Sequence, residues 1–130
     1  MRMTYYFSKI LAHDFDEAVR RTTQSLQQEG FGIITQIDVQ DVFKKKLNKE
    51  FRRYLILGAC SPSIAYEALA IEDKVGTMLP CNVVVQDVGG GKTEIAAIDP
   101  VASMQAIENA NLKSAATRVR EKLSKVIESL

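Results

Sequence analysis

The chain has 130 residues, of which 46% are hydrophobic and 25% are charged, and its formal net charge at pH 7 is +1. This length predicts one domain over residues 1–130, and a charge near zero excludes a global electrostatic attraction to nucleic acid or membranes. Neither a secretory signal nor an apolar stretch of membrane-spanning length is recognised. Two cysteines are too few for a disulfide scaffold, so we expect a cytoplasmic protein with free thiols.

The first third of the chain predicts a strand, a helix and a second strand. Aromatic and β-branched residues predict a strand from Met3 to Ile10. Asp14 and Glu17 then have the spacing of a helix cap, and Gly30 ends this helix. Alternating apolar residues predict that residues 30–39 form a strand with one apolar face. The apolar positions of that strand are Phe31, Ile33, Ile37 and Val39.

The middle of the chain contains a segment without a clear pattern, followed by a strand and a helix. Residues 41–53 fit either a short helix or a loop. Residues 54–59 are nearly all apolar and predict a strand covered on both faces. Ser61 is predicted to cap the next helix through its hydroxyl, and Pro62 suits the first helical position.

The last third of the chain predicts a hairpin and a long helix. Residues 82–88 and 92–99 read as strands joined by three glycines, Gly89 to Gly91. Asp99 and Pro100 predict another short helical turn, and apolar residues at spacings of three and four predict a helix over 112–130. The order β-α-β-β-α-β-β-α, with strands that follow one another directly, predicts an α+β fold with an antiparallel sheet and helices on one face.

Two motifs suggest chemistry that their context does not favour. Lys92 and Thr93 follow the glycines as in a phosphate-binding loop, but Gln86 stands where that loop needs its first glycine, and a strand follows instead of a helix. A hairpin turn is therefore the better interpretation. His13, the single histidine, precedes a helix cap and is predicted to be structural or exposed. No nucleophile motif of the GxSxG type supports hydrolase chemistry.

A basic segment with interleaved aromatic residues is a weak candidate for nucleic-acid binding, since cations contact phosphates and aromatic rings stack on bases. The small charge of the whole protein favours an ordinary solvated surface instead. The candidate contacts are Lys44, Lys45, Lys46, Lys49, Arg52 and Arg53.

The two cysteines are the strongest remaining candidates. Cys60 precedes a helix start, where the helix dipole favours a thiolate, and Cys81 begins the following strand. If these two strands are antiparallel neighbours, both thiols lie at the same edge of the sheet. Simple packing, thiol redox chemistry and a metal or ligand site all remain open, although Cys60, Cys81 and His13 are too few for a closed zinc site.

Several segments together resemble the domain of unknown function 302, a family of bacterial and archaeal proteins. The resemblance is carried by FDEAVRRTTQSLQQEGFGIITQIDV, YLILGACSPSIAYEAL, MLPCNVVV and AATRVREKL, in this order. It implies a curved antiparallel sheet with helices on one side, like that of the TATA-binding protein repeat, and it implies homodimers. It implies no particular activity, because function belongs to sites rather than to folds.

The leading hypothesis is a non-enzymatic module that binds a ligand or partner near Cys60, Ser61, Pro62, Pro80 and Cys81. The alternatives are a thiol-based redox or metal-binding protein that uses Cys60 and Cys81, and nucleic-acid binding through residues 44–53. No cofactor is predicted.

Overall fold

The computed structural model describes residues 4–130, and its helices and strands follow the local sequence signals closely. The strands are β1 Tyr6–Leu11, β2 Gly32–Asp38, β3 Tyr54–Cys60, β4 Cys81–Gly89 and β5 Lys92–Ile98. The helices are α1 Phe15–Gln28, α2 Val39–Leu47, α3 Pro62–Ile71, α4 Pro100–Ser103 and α5 Ala110–Glu128, with a 3₁₀ helix at Asp73–Met78. The predicted start of β1 at Met3 lies outside the described residues.

The five strands form one curved sheet in the order β1-β5-β4-β3-β2, and every neighbouring pair is antiparallel. The α+β class with a single antiparallel sheet is therefore confirmed. The undecided segment 41–53 divides into the end of α2 and an irregular connection to β3.

Side-chain caps explain where several helices begin. A carboxylate oxygen of Asp14 accepts a hydrogen bond from the Glu17 backbone N–H at 2.9 Å, and Gly30 follows α1 with a φ of +85°. Asp99 accepts from the first backbone N–H groups of α4, and Asn109 does the same for α5. These caps satisfy backbone donors that have no partner inside the helix.

The predicted apolar alternation of β2 is wrong beyond its first half. The register between β2 and β3 shifts between Ile33 and Thr35, which is an irregularity that reverses the face of later side chains. Ile33 packs against the core, whereas Ile37 is 48% exposed and pairs with Ile56 on the other face of the sheet. Val39 belongs to α2 rather than to the strand.

The main core lies between one face of the sheet and the helices α1 and α5. Its fully buried side chains on the three inner strands include Leu57, Val83, Val85 and Ile95. The opposite face of the sheet is more open, and Tyr54 and Ile56 there are only partly buried. The prediction that the strand at 54–59 is covered on both faces is therefore wrong along this part of β3.

A second, smaller core cluster lies beside the first one. It joins α3, the 3₁₀ helix, the end of α4 and α5, and its buried members are Ala68, Val75, Leu112 and Met104, which directly follows α4. This cluster holds α3 against α5 near the ends of β3 and β4. Within residues 4–130, no helix combines the length and apolar character needed to cross a membrane.

Candidate ligand cavity at the ends of β3 and β4

An apolar cavity of about 310 Å³ lies between α3, α5 and the adjoining ends of β3 and β4. Its wall includes Phe31, Ile64, Leu112 and Val119, all of them apolar. None of the residues that line the cavity is Lys, Arg, His, Asp or Glu. Such a space suits the apolar part of a small molecule, because binding sites for small molecules are mostly apolar with few polar groups.

Small side chains on facing elements create this volume. Alanines on β3, α3 and α5 line the cavity, where larger apolar residues would fill it. They are Ala59, Ala65, Ala68, Ala115 and Ala116. The cavity is open to solvent beside Ile34 and Leu69, two lining residues that are 61% and 44% exposed.

Gly58 allows Pro80 to lie close to the sheet at one end of the cavity. A Cβ atom on Gly58 would lie 2.7 Å from Cγ of Pro80 and 2.0 Å from Oγ1 of Thr35, which is closer than atoms pack. The peptide bond between Leu79 and Pro80 is cis. The strand end therefore needs a residue without a side chain at position 58.

The antiparallel register brings the two cysteines to the same edge of the sheet, as predicted. Cys81 pairs with Ala59, the residue next to Cys60, and both thiols are free and line the cavity. Cys60 is half-buried, whereas Cys81 is buried. Burial, with a smaller contribution from the neighbouring Cys60, raises the pKa of Cys81 to about 11. Its thiol is therefore protonated at neutral pH.

The Ser61 hydroxyl does not cap α3, which corrects the prediction from sequence. Ser61 stands at the N-cap position, but its side chain makes no hydrogen bond to the helix backbone. The residue is 8% exposed and lines the cavity together with Cys60, Pro80 and Cys81. Pro62 begins α3 as expected, but it is exposed and is not part of the cavity wall.

The glycine turn is a hairpin turn, as expected. Gly89, Gly90 and Gly91 all have positive φ, and Lys92 and Thr93 belong to β5. The buried Thr93 hydroxyl donates a hydrogen bond to the His13 carbonyl at 2.9 Å, so this threonine joins two parts of the backbone. A phosphate-binding loop would place the corresponding residue at a helix start.

Acidic and amide side chains of the chain itself contact most of the basic segment. Lys44 pairs with Glu50 at 2.8 Å, Lys45 with Asp41 at 2.9 Å and Arg53 with Asp16 at 3.0 Å. Arg52 donates to Gln86 at 2.9 Å. The remaining predicted contacts, Lys46 and Lys49, are exposed. The local positive potential is lower than the count of Lys and Arg indicates.

The described residues contain no group of three or more His, Cys, Asp or Glu side chains placed to hold a metal ion. His13 is thus not part of such a group with the two cysteines.

The open face of the sheet forms a second, more polar groove of about 330 Å³. Tyr54, Gln86 and Glu94 lie side by side on three neighbouring strands and face this groove. Gln86 donates to Glu94 at 2.9 Å and accepts from Arg52, so a row of polar contacts crosses the face.

Comparisons with known proteins agree with this architecture. Residues 7–130 match the family described as Domain of unknown function DUF302. The chain belongs to the DUF302 family. The crystal structure of the uncharacterized conserved protein DUF302 from Bacillus stearothermophilus is similar, with a TM-score of 0.88 and 27% sequence identity over 97% of this chain and 98% of that chain. No curated protein matches the chain.

Sequence reasoning located one end of the cavity in this DUF302 chain but missed most of its wall. The missed residues include Phe31, Met104, Ala115, Ala116 and Val119, which lie far apart in the sequence. The available signal was the alanine content of two helices that come to face each other. Alanine also has the highest helix propensity, so alanines in a helix do not by themselves indicate a cavity.

Proposed function

We propose that this DUF302 protein is a non-enzymatic module that binds a small, mostly apolar molecule in the cavity beside Cys60 and Cys81. The observation that carries the proposal is the cavity itself, with a volume of about 310 Å³ and an apolar wall. An engineered apolar cavity of about 150 Å³ binds benzene. By the same scale, this cavity holds a ligand of about twelve non-hydrogen atoms.

Isopropylbenzene is a suitable first probe because it is small, neutral and apolar. Its binding is measured by titration of the full chain, followed through the backbone amide signals of Ile64 and Cys81 in NMR spectra. Both residues line the cavity. We expect saturable shifts at these amides and smaller ones at Gly90, which lies in the distant hairpin turn.

Two leucine substitutions on α3 separate binding in the cavity from binding elsewhere. Ala65→Leu adds three carbons to the cavity wall and should weaken isopropylbenzene binding by about tenfold or more, as blocked volume excludes the probe. Ala70→Leu is the matched control, because Ala70 is exposed on the same helix and does not line the cavity. Equal binding to both variants, or no saturable binding to the wild type, contradicts the proposal.

We also propose that the protein acts as one domain over residues 1–130 and forms a cytoplasmic homodimer through the open face of its sheet. Exposed apolar side chains on this face support the pairing, among them Ile10 at 57% and Ile37 at 48% exposure. The face also carries Arg52 and Glu94, so two copies related by a twofold axis can oppose unlike charges.

Analytical ultracentrifugation tests the dimer. Ile10→Lys places a charge on the open face and should shift the protein toward monomer. Leu69→Lys is the control, since Leu69 is exposed beside the cavity rather than on the sheet. A wild-type monomer at all concentrations, or a dimer that Ile10→Lys leaves intact, contradicts this arrangement.

A thiol-based function is the second candidate, supported by the position of Cys60 and Cys81 on one cavity wall. Oxidation by hydrogen peroxide would join the two sulfurs, and the two thiol protons would leave with the two peroxide oxygens as two molecules of water. The raised pKa of Cys81 weighs against it, because about one thiol in ten thousand is ionised at pH 7. A disulfide that forms quickly with dilute hydrogen peroxide, detected by mass spectrometry, would favour this function over simple binding.

Nucleic-acid binding through residues 44–53 is the weakest candidate, since contacts within the chain already engage Lys44, Lys45, Arg52 and Arg53. It requires an affinity that falls steeply as salt rises, which a titration with single-stranded DNA measures.

A further inference from the structure

The cavity contains one hydroxyl group, and it belongs to Ser61. The residue is more than nine-tenths buried, since only 8% of its surface is exposed. Its side chain makes no capping hydrogen bond, although the residue stands at the N-cap of α3. By contrast, Asp14 and Asn109 cap α1 and α5 with their side chains.

An apolar ligand that displaces water from this wall would leave the Ser61 hydroxyl without a hydrogen bond, which is costly unless the ligand itself supplies a partner. The backbone N–H groups of the first turn of α3 also lack the acceptor that a capping serine supplies. A polar atom of a bound molecule would satisfy these donors. The donors therefore indicate a ligand with a hydrogen-bond acceptor at this end of the cavity.

The charges around the cavity indicate that this acceptor is neutral. No lining residue is cationic, so only the partial charge at the start of α3 would offset the desolvation of a carboxylate in the cavity. A cation would face the positive end of the α3 dipole and would find no carboxylate among the lining residues. A neutral carbonyl oxygen accepts hydrogen bonds and brings no net charge into the apolar cavity.

Resting on the proposed function, we infer that the ligand of this DUF302 protein is an apolar molecule with a neutral carbonyl group, such as a ketone, aldehyde or ester, whose oxygen accepts a hydrogen bond from Ser61. The apolar body occupies the space between α3 and α5.

Three probes of equal non-hydrogen size test the inference: isopropylbenzene, acetophenone and benzoate. The affinity of each is measured for the wild type, for Ser61→Ala and for Ser63→Ala. Ser63 is the matched control because it is exposed on the same helical turn and does not line the cavity. Removal of one neutral hydrogen bond should weaken acetophenone about fivefold in Ser61→Ala, while isopropylbenzene changes by less than about twofold.

The outcomes separate the inference from the proposal on which it rests. If isopropylbenzene binds in the cavity but Ser61→Ala leaves acetophenone unchanged, the inference is wrong and apolar binding stands. If benzoate binds more tightly than acetophenone, the acceptor is anionic and the inference is also wrong. If neither neutral probe binds, the proposed function fails, and the carbonyl ligand fails with it.

Discussion

Gly58 offers a direct test of how the sheet and Pro80 fit together. In Gly58→Ala the new Cβ would lie 2.0 Å from Oγ1 of Thr35 and 2.7 Å from Cγ of Pro80. Thr35 is exposed and is able to turn its side chain away, but the proline ring has no such freedom. We expect a loss of about 2 kcal/mol in the free energy of unfolding, within the range for an overfilled site.

Urea unfolding measures this loss, and Gly32→Ala is the matched control. Gly32 also lies in a strand, but nothing lies within 4 Å of its Cβ position, so we expect a change below about 0.5 kcal/mol there. Adding Thr35→Ala to Gly58→Ala should recover only part of the loss, since the contact with Pro80 remains. A Gly58→Ala protein as stable as Gly32→Ala would refute the reasoning.

Substitutions at three other positions test buried polar groups. The Thr22 hydroxyl is buried and has no hydrogen-bond partner among residues 4–130, so Thr22→Val should raise the free energy of unfolding by about 1 kcal/mol, and a loss in urea unfolding would contradict this. Asp99 accepts from two backbone N–H groups and pairs with Arg120 at 3.2 Å, so in the same assay Asp99→Ala should cost about 2 kcal/mol and Asp99→Asn less. Cys81 ionises near its usual pKa of about 9 when unfolded and near 11 when folded, so wild-type stability should fall relative to Cys81→Ala between pH 9 and 11, by up to about 3 kcal/mol. Parallel pH profiles of those two proteins would contradict the burial of the thiol.

Elements with strong local signals could be predicted from the sequence. The cap formed by Asp14 lies within three residues of its partner, and the glycines from Gly89 to Gly91 supply the positive φ that their turn requires. The cap and the turn depend only on interactions close in sequence. The antiparallel pairing of β3 and β4 was only one of two possibilities from the residues, because α3 and the 3₁₀ helix lie between these strands. The family resemblance favoured it, and with it the proximity of Cys60 and Cys81.

The errors arose where tertiary packing overrides a local pattern. No residue between Ile33 and Ile37 indicates the register shift, after which the apolar side chains of β2 lie on the other face of the sheet. Ser61 has the expected residue type and position for a cap, but its hydroxyl makes no capping hydrogen bond and the residue faces a cavity that distant elements build. A capping motif therefore predicts where a helix begins. Whether the capping hydrogen bond forms depends on the tertiary packing around the side chain.

The alanines around the cavity are not the residues that would give the most stable fold. Leucine forms helices nearly as well as alanine, and each added buried methylene stabilises a core by about 0.8 kcal/mol. Ala65→Leu should therefore stabilise the chain in urea unfolding, provided that the cavity has room for it, while it blocks the probe. A gain in stability together with a loss of binding is the pattern expected of a space kept open for a ligand. If Ala65→Leu instead destabilises the chain and leaves isopropylbenzene binding unchanged, the probe does not bind between α3 and α5.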